Sequence, residues 1–152
     1  MDSEYNSLME NKTWVLSRLP EGRLPTECKW VYKLKQNAEG IVVRRKSRLV
    51  VKGFTQVAFI DYNEPYAPVI KGETIRMMLA FGVKYGLKIM QLDVTTAFLH
   101  ADIDEGVEIY MRQPPGYEKY DEEGFELFCK LMKSLYGLKQ ASRNWNKHLD
   151  AG

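Results

Sequence analysis

Leu87-Lys88-Ile89-Met90-Gln91-Leu92-Asp93-Val94, running on into Thr95-Thr96-Ala97-Phe98-Leu99-His100, is the stretch around which the rest of the chain is read. Its first eight residues are rich in Leu, Ile, Met and Val and predict a short strand, half or fully buried, that ends in a carboxylate. An aspartate at a strand end facing a cleft is fixed on rigid backbone yet reaches solvent, as a ligand for a hard cation such as Mg²⁺ must. Aspartate is equally favoured as a turn residue and helix N-cap, so the pattern alone leaves both roles open for Asp93. The carbonyl of Val94 offers a second, neutral oxygen, and Ala97-Phe98 is a small residue followed by an aromatic one. His100 reads as a surface or turn histidine, because no second histidine lies at metal-ligand spacing.

Working outward, residues Gly72 to Gly86 predict a helix. Ile75, Met78, Leu79 and Gly82 fall at i, i+3, i+4 and i+7, Val83 widens the stripe, and Gly86 is a natural terminator. That stripe is expected to be core, packed on the following strand so that Asp93 is aimed into a cleft. Further back, Trp30, Tyr32 and Leu34 alternate with Val31, Lys33 and Lys35, Asn37-Ala38-Glu39-Gly40 is a turn signal, and Ile41 to Val51 resumes a strand. The product is a basic β-hairpin. Met1 to Lys12 reads as a helical or loose lead-in, Thr13 to Pro25 as a connector, and Gly53 to Pro68 as irregular, since Pro65 and Pro68 exclude a long helix. Downstream, Val107, Ile109 and Met111 alternate as a strand, Leu127, Cys129 and Leu131 as its hairpin partner, and a helix is expected to open at Ser134.

Composition narrows the class. The chain has 152 residues, 45% hydrophobic and 28% charged, which are values for one globular unit. No apolar run is long enough to span a bilayer and Met1 to Tyr5 is polar, so neither membrane insertion nor secretion is expected. Cys28 and Cys129 lie in predicted strands and read as buried reduced thiols. The net charge of +2 conceals a division. Between Lys29 and Lys52 eight cations face the single acid Glu39, a local +7; between Asp102 and Glu126 nine acids face Arg112 and Lys119, a local −7. Such a basic block either concentrates polyanions such as nucleic acid or nucleotide phosphates, or is the solvated side of an alternating strand pair.

Five stretches, in order, carry a resemblance. Cys28-Lys29-Trp30-Val31-Tyr32-Lys33-Leu34-Lys35, Lys46 to Gln56, Tyr66-Ala67-Pro68-Val69, Gln91 to His100, and Ser134-Leu135-Tyr136-Gly137-Leu138-Lys139-Gln140-Ala141 resemble the motifs of copia-type retrotransposon reverse transcriptases. The resemblance implies an α+β fold: polymerase fingers and a partial palm, with residues 1–28 as lead-in, 29–71 as fingers-like hairpin and loop, and 72–152 as palm. It implies RNA-directed DNA polymerase chemistry by the two-metal route, with Asp93 and the Val94 carbonyl as ligands of Mg²⁺ or Mn²⁺. By the same resemblance Lys46 and Arg48 hold the triphosphate, Phe98 lies under the sugar, Gln140 contacts nucleotide or template, and Arg44, Arg45 and Lys52 contact nucleic acid. The implied partners are an RNA template, a DNA primer strand, dNTPs and the rest of a Pol polyprotein, in an intracellular setting, either a cytoplasmic virus-like particle or the nucleus. The chain departs from the family where it has Phe59 for a usual glycine, Pro65 for threonine and Ala101 for glycine. Two divalent ions need at least two carboxylates in one cleft. The family's aromatic-x-Asp-Asp hairpin does not occur in these residues, so the chain is expected to be the amino-terminal half of the enzyme and inactive alone. The alternative is a non-catalytic nucleic-acid-binding remnant of a decayed element.

Overall fold

The computed structural model describes residues 1–151 and is a mixed α+β structure. α1 spans Asp2–Glu10, β1 Trp14–Ser17, β2 Cys28–Gln36, β3 Val42–Val51, α2 Gly72–Lys84, β4 Tyr110–Met111, β5 Phe128–Leu131 and α3 Ala141–Ala151. β1, β5 and β4 form an antiparallel sheet in that spatial order, and β2 and β3 form a separate antiparallel ribbon. The ribbon is tied to the sheet at its base, where Thr26 N–H donates to the Tyr110 carbonyl (2.8 Å) and Arg112 N–H to the Thr26 carbonyl (2.9 Å).

The hairpin forms as its turn chemistry dictates. Asn37 exchanges backbone bonds with Ile41 and Gly40, and its side-chain oxygen accepts the Ile41 N–H at 2.8 Å, closing the loop locally. Cross-strand pairing then runs Trp30 with Leu49, Val31 with Arg48, Lys33 with Lys46 and Lys35 with Arg44, until a bulge after Lys35. The lead-in is a helix that belongs to the core: Leu8 is buried, and Tyr5 stacks on Tyr117 at 4.0 Å between centroids. The Pro-Pro-Gly-Tyr loop therefore has a packing role, reinforced by Trp30 Nε1 donating to the Pro115 carbonyl. The expected connector is corrected in the same way. Its Trp14–Ser17 segment pairs along β5, a partner more than a hundred residues away that no local pattern reveals.

Leu87 to Val94 does not form a strand. An extended segment becomes a strand only when another pairs with its backbone, and among the described residues none does. Its side chains are accordingly open, with Met90 78% exposed. The α2 stripe shares that fate: Ile75, Met78, Leu79 and Val83 are exposed, and Gly82 alone on the helix is buried, against Ile89. The expectation of a core stripe was wrong because amphipathicity identifies the face that seeks cover without supplying the cover. Between α2 and residues 87–90 lies an apolar hollow of about 390 Å³. The helix end follows expectation: Leu87 N–H returns to the Gly82 carbonyl and Gly86 N–H to Val83, the paired bonds of a Schellman terminus.

Phe59 adopts φ +65°, the left-handed region anticipated for a position where the family has glycine. Its ring is 85% exposed and contributes little packing. Phe59→Gly is expected to raise stability by about 0.5–1 kcal/mol, the relieved strain less the extra freedom of the unfolded glycine chain. Urea unfolding checks this; a lower midpoint in the variant would show that the ring packs after all.

Cys28 and Cys129 are buried free thiols in β2 and β5, as expected; burial pushes the Cys28 thiol up to about 11 and Cys129 in the same direction. No helix of the described residues is long and apolar enough to cross a membrane.

Candidate functional site

Asp93 lies on exposed irregular backbone just before a turn through Thr95 and Thr96. Thr96 takes φ +53° and is itself the N-cap of the short 3₁₀ turn Ala97–His100, without any side-chain cap bond. The cap position is therefore not Asp93's, which removes one of its two ordinary structural roles. The 3₁₀ turn is anchored by Leu99, which is buried, while Phe98 is half-buried at the core's edge. His100 is exposed, its Nε2 3.3 Å from the Thr95 carbonyl, and its ring lies 6.5 Å from that of His148 on α3. That second histidine is invisible to spacing because it arrives from 48 positions away.

The residues present do not make a complete metal site. Asp93 and the Val94 carbonyl are two oxygens, whereas Mg²⁺ takes about six. Among the described residues no three acidic, histidine or cysteine side chains cluster as an ion requires. The nearby acids are committed elsewhere: Asp102 pairs with Lys133 at 2.6 Å, and Asp104 with Arg143 (3.0 Å) and Lys147 (2.7 Å) of α3. The Asp104 pairs fix the 102–104 loop to α3, helped by Asn144 Nδ2 donating to the Asp102 carbonyl, while the Asp102 pair ties it to the segment after β5.

Two of the expected nucleotide residues do come together, through a third that the sequence reading passed over. The Arg48 guanidinium lies over the Tyr136 ring, 5.5 Å from its centroid, and Phe98 meets the same ring edge-on at 4.7 Å. Residues from the hairpin, the first motif and the Ser134 motif thus share one contact set. The available signal for Tyr136 was an aromatic immediately before a turn glycine.

The Ser134 to Gln140 segment is a turn, and the expected helix begins only at Ala141. Gly137, at φ +95°, brings the turn's backbone hard against the end of β3, and Val51 N–H donates to the Tyr136 carbonyl at 2.8 Å. This junction sets Tyr136 beside Arg48. Gln140, expected to contact nucleotide or template, is 1% exposed. Its Nε2 donates to the Asp61 carbonyl (2.8 Å) and its Oε1 accepts from Gln56 Nε2 (3.1 Å), while Gln56 Oε1 accepts the Lys139 N–H (2.9 Å). Those bonds knit the Gly53 to Tyr62 loop to the turn.

The cations divide. Arg44, Lys46 and Arg48 project from one face of the ribbon, and Arg45 from the other, with Tyr32 and Leu34. Lys52 lies beyond β3 and is paired with Glu27. Glu4 on α1 senses both Lys46 and Arg48, yet burial dominates and its carboxyl sits above its ordinary range.

Comparison with known proteins identifies the family. Residues 11–152 match the family model described as reverse transcriptase (RNA-dependent DNA polymerase). The chain is 48% identical over 151 residues to the retrovirus-related Pol polyprotein from transposon TNT 1-94 of Nicotiana tabacum, covering 99% of this chain and 11% of that protein. It is 42% identical over 146 residues to the Pol polyprotein from transposon RE1 of Arabidopsis thaliana (95% and 10%), and 31% identical over 147 residues to the Transposon Ty1-ER2 Gag-Pol polyprotein of Saccharomyces cerevisiae (93% and 8%). The chain thus spans about a tenth of the length of these curated relatives. No solved structure matches it. With the family model covering all but its first ten residues, the chain belongs to the reverse transcriptase (RNA-dependent DNA polymerase) family, on its copia-type transposon branch.

Proposed function

We propose that the chain supplies the nucleotide-facing and template-facing part of an RNA-directed DNA polymerase that extends a DNA primer on an RNA template. In this reading Lys46 and Arg48 take the triphosphate of the incoming dNTP, Phe98 lies under its sugar, and Asp93 with the Val94 carbonyl contributes one side of a Mg²⁺ or Mn²⁺ site. The remaining carboxylates come from outside these residues, in the rest of a Pol polyprotein. The relatives' names as Pol polyproteins support that partner. The setting in this reading is intracellular, in a virus-like particle or the nucleus.

The observation that carries the reading is the contact set of Arg48, Tyr136 and Phe98, drawn from three motifs far apart in sequence. A cation stacked on an aromatic ring keeps its charge and loses rotational freedom, which is what a fixed phosphate contact requires. The second reading, a nucleic-acid-binding remnant, is favoured by one specific observation: among the described residues Asp93 belongs to no group of three acidic, histidine or cysteine side chains that could hold an ion.

Primer extension by a polyprotein carrying this chain separates the two. Asp93→Asn is expected to lower kcat by about 10³-fold or more, because the neutral amide cannot anchor the ion that stabilises the developing charge. Equal extension by the variant and the unaltered protein would contradict the polymerase reading and leave the remnant.

A further inference from the structure

His100 and His148 are the chain's two histidines, and folding brings them side by side. His100 closes the 3₁₀ turn Ala97–His100, and His148 lies in the last turn of α3. Both side chains are exposed, and their rings stand 6.5 Å apart with planes inclined at 21°. Trp145 flanks the pair, its ring 6.4 Å from that of His100 and 5.8 Å from that of His148. Among the described residues neither imidazole forms an ion pair, the neighbouring Asp102 and Asp104 being taken by Lys133, Arg143 and Lys147.

A second observation fixes the chemistry of one ring. His100 Nε2 lies 3.3 Å from the Thr95 carbonyl, and a carbonyl oxygen only accepts, so Nε2 carries the proton and the neutral ring keeps its free lone pair on Nδ1. Histidines that ligate metals are oriented in this way, with the other ring N–H given to a carbonyl or carboxylate. Two imidazoles on one tetrahedral ion, each nitrogen about 2.0–2.1 Å from it, have centroids about 5 Å apart. Closing from the observed separation takes a movement of about 1 Å, which rotation of exposed side chains supplies.

We propose that His100 and His148 form a two-imidazole site for a borderline divalent cation of the Zn²⁺, Ni²⁺ or Cu²⁺ class, with water in its remaining positions. Imidazole suits such ions, whereas Mg²⁺ and Mn²⁺ favour carboxylate and carbonyl oxygens, so this site differs in chemistry from the pair of oxygens at Asp93 and Val94. Two protein ligands make an open, exchangeable site and not a structural one, which takes four. Glu105, beside His148 on the rim of a polar hollow and without an ion pair among the described residues, adds negative charge nearby. A bound ion clasps the turn that carries Phe98 to α3. The site rests on neither Asp93 nor the polymerase reading.

The test is a titration of the full isotope-labelled chain with Zn²⁺ at about pH 7.5, where imidazole is largely neutral, followed through the ring resonances of the two histidines. Both rings are expected to shift along one saturating curve with a common Kd. His100→Ala should weaken the response of the His148 ring by about tenfold or more, and His148→Ala should do the same to His100. Both positions are exposed, so neither variant removes core packing. Mg²⁺ at the same concentrations should shift neither ring. Cys28 and Cys129 do not compete, because burial keeps their thiols protonated. Separate affinities for the two rings, a His148 curve that His100→Ala leaves intact, or no shift in the unaltered chain would overturn the site. Asp93→Asn should leave both curves unchanged, so a failure of the polymerase reading and a failure of this site are told apart.

Discussion

Gly137→Ala is expected to abolish cooperative folding of the chain. A Cβ at this position would fall inside the van der Waals contact of the Val51 carbonyl oxygen and within 2.9 Å of Val50 Cγ1. Both obstacles belong to β3, so relief requires moving a strand and not a flexible side-chain tip. The movement would pull apart the Val51 to Tyr136 bond and press on Gly53, whose own position leaves no room for a Cβ against the Gly137 carbonyl. Left-handed backbone at φ +95° adds about 1–2 kcal/mol for a residue with a side chain. The combined cost is expected to exceed about 4 kcal/mol, a large share of the total stability of an ordinary domain. Gly116→Ala is the control. Gly116 has φ +90° but nothing within 4 Å of its missing Cβ, so it should lose only the backbone strain. Urea unfolding followed by circular dichroism of both variants reads the difference; similar midpoints would show that the junction of β3 with the Tyr136 turn is not tight.

The second large effect concerns Gln140. Gln140→Leu keeps approximate size but leaves Gln56 Nε2 without its acceptor and the Asp61 carbonyl without its donor, both in a buried place. Each unsatisfied group costs about 1–3 kcal/mol, so a loss of about 2–6 kcal/mol is expected. The sequence motif alone points to another outcome, in which Gln140 contacts nucleotide or template and its loss leaves folding intact. Chemical denaturation decides between them: an unchanged midpoint with impaired primer extension would return Gln140 to the contact role.

The hairpin was legible because its causes are local. Alternation of Trp30, Tyr32 and Leu34 with lysines marks the strands, and Asn37 to Gly40 closes them with its own side-chain and backbone bonds. The left-handed backbone at Phe59 was legible only through the family resemblance, which implies a glycine at that position. What could not be read is what depends on a partner. Residues 87–94 have strand composition, yet a strand exists only beside another; β1 has a partner in β5 that sits 114 or so positions away, and composition announces neither fact. The α2 stripe shows the same limit, for a hydrophobic face reports its need for cover and not its supply. The site divides along that line. Arg48 and Phe98 were singled out from their motifs; their meeting at Tyr136, the opposite face of Arg45 and the burial of Gln140 follow from register and from the Gly137 junction, which are properties of the folded chain.

Backbone amide resonances of the isotope-labelled chain, followed during titration with a dNTP, locate where the nucleotide is held. If the nucleotide is held where Arg48, Tyr136 and Phe98 meet, the largest shifts fall on Lys46 to Arg48, Tyr136 to Gly137 and Ala97 to Leu99, and Arg48→Gln abolishes them. Shifts centred instead on the loop of Asp102 to Glu105 and α3, or a pattern that Arg48→Gln leaves intact, would contradict it.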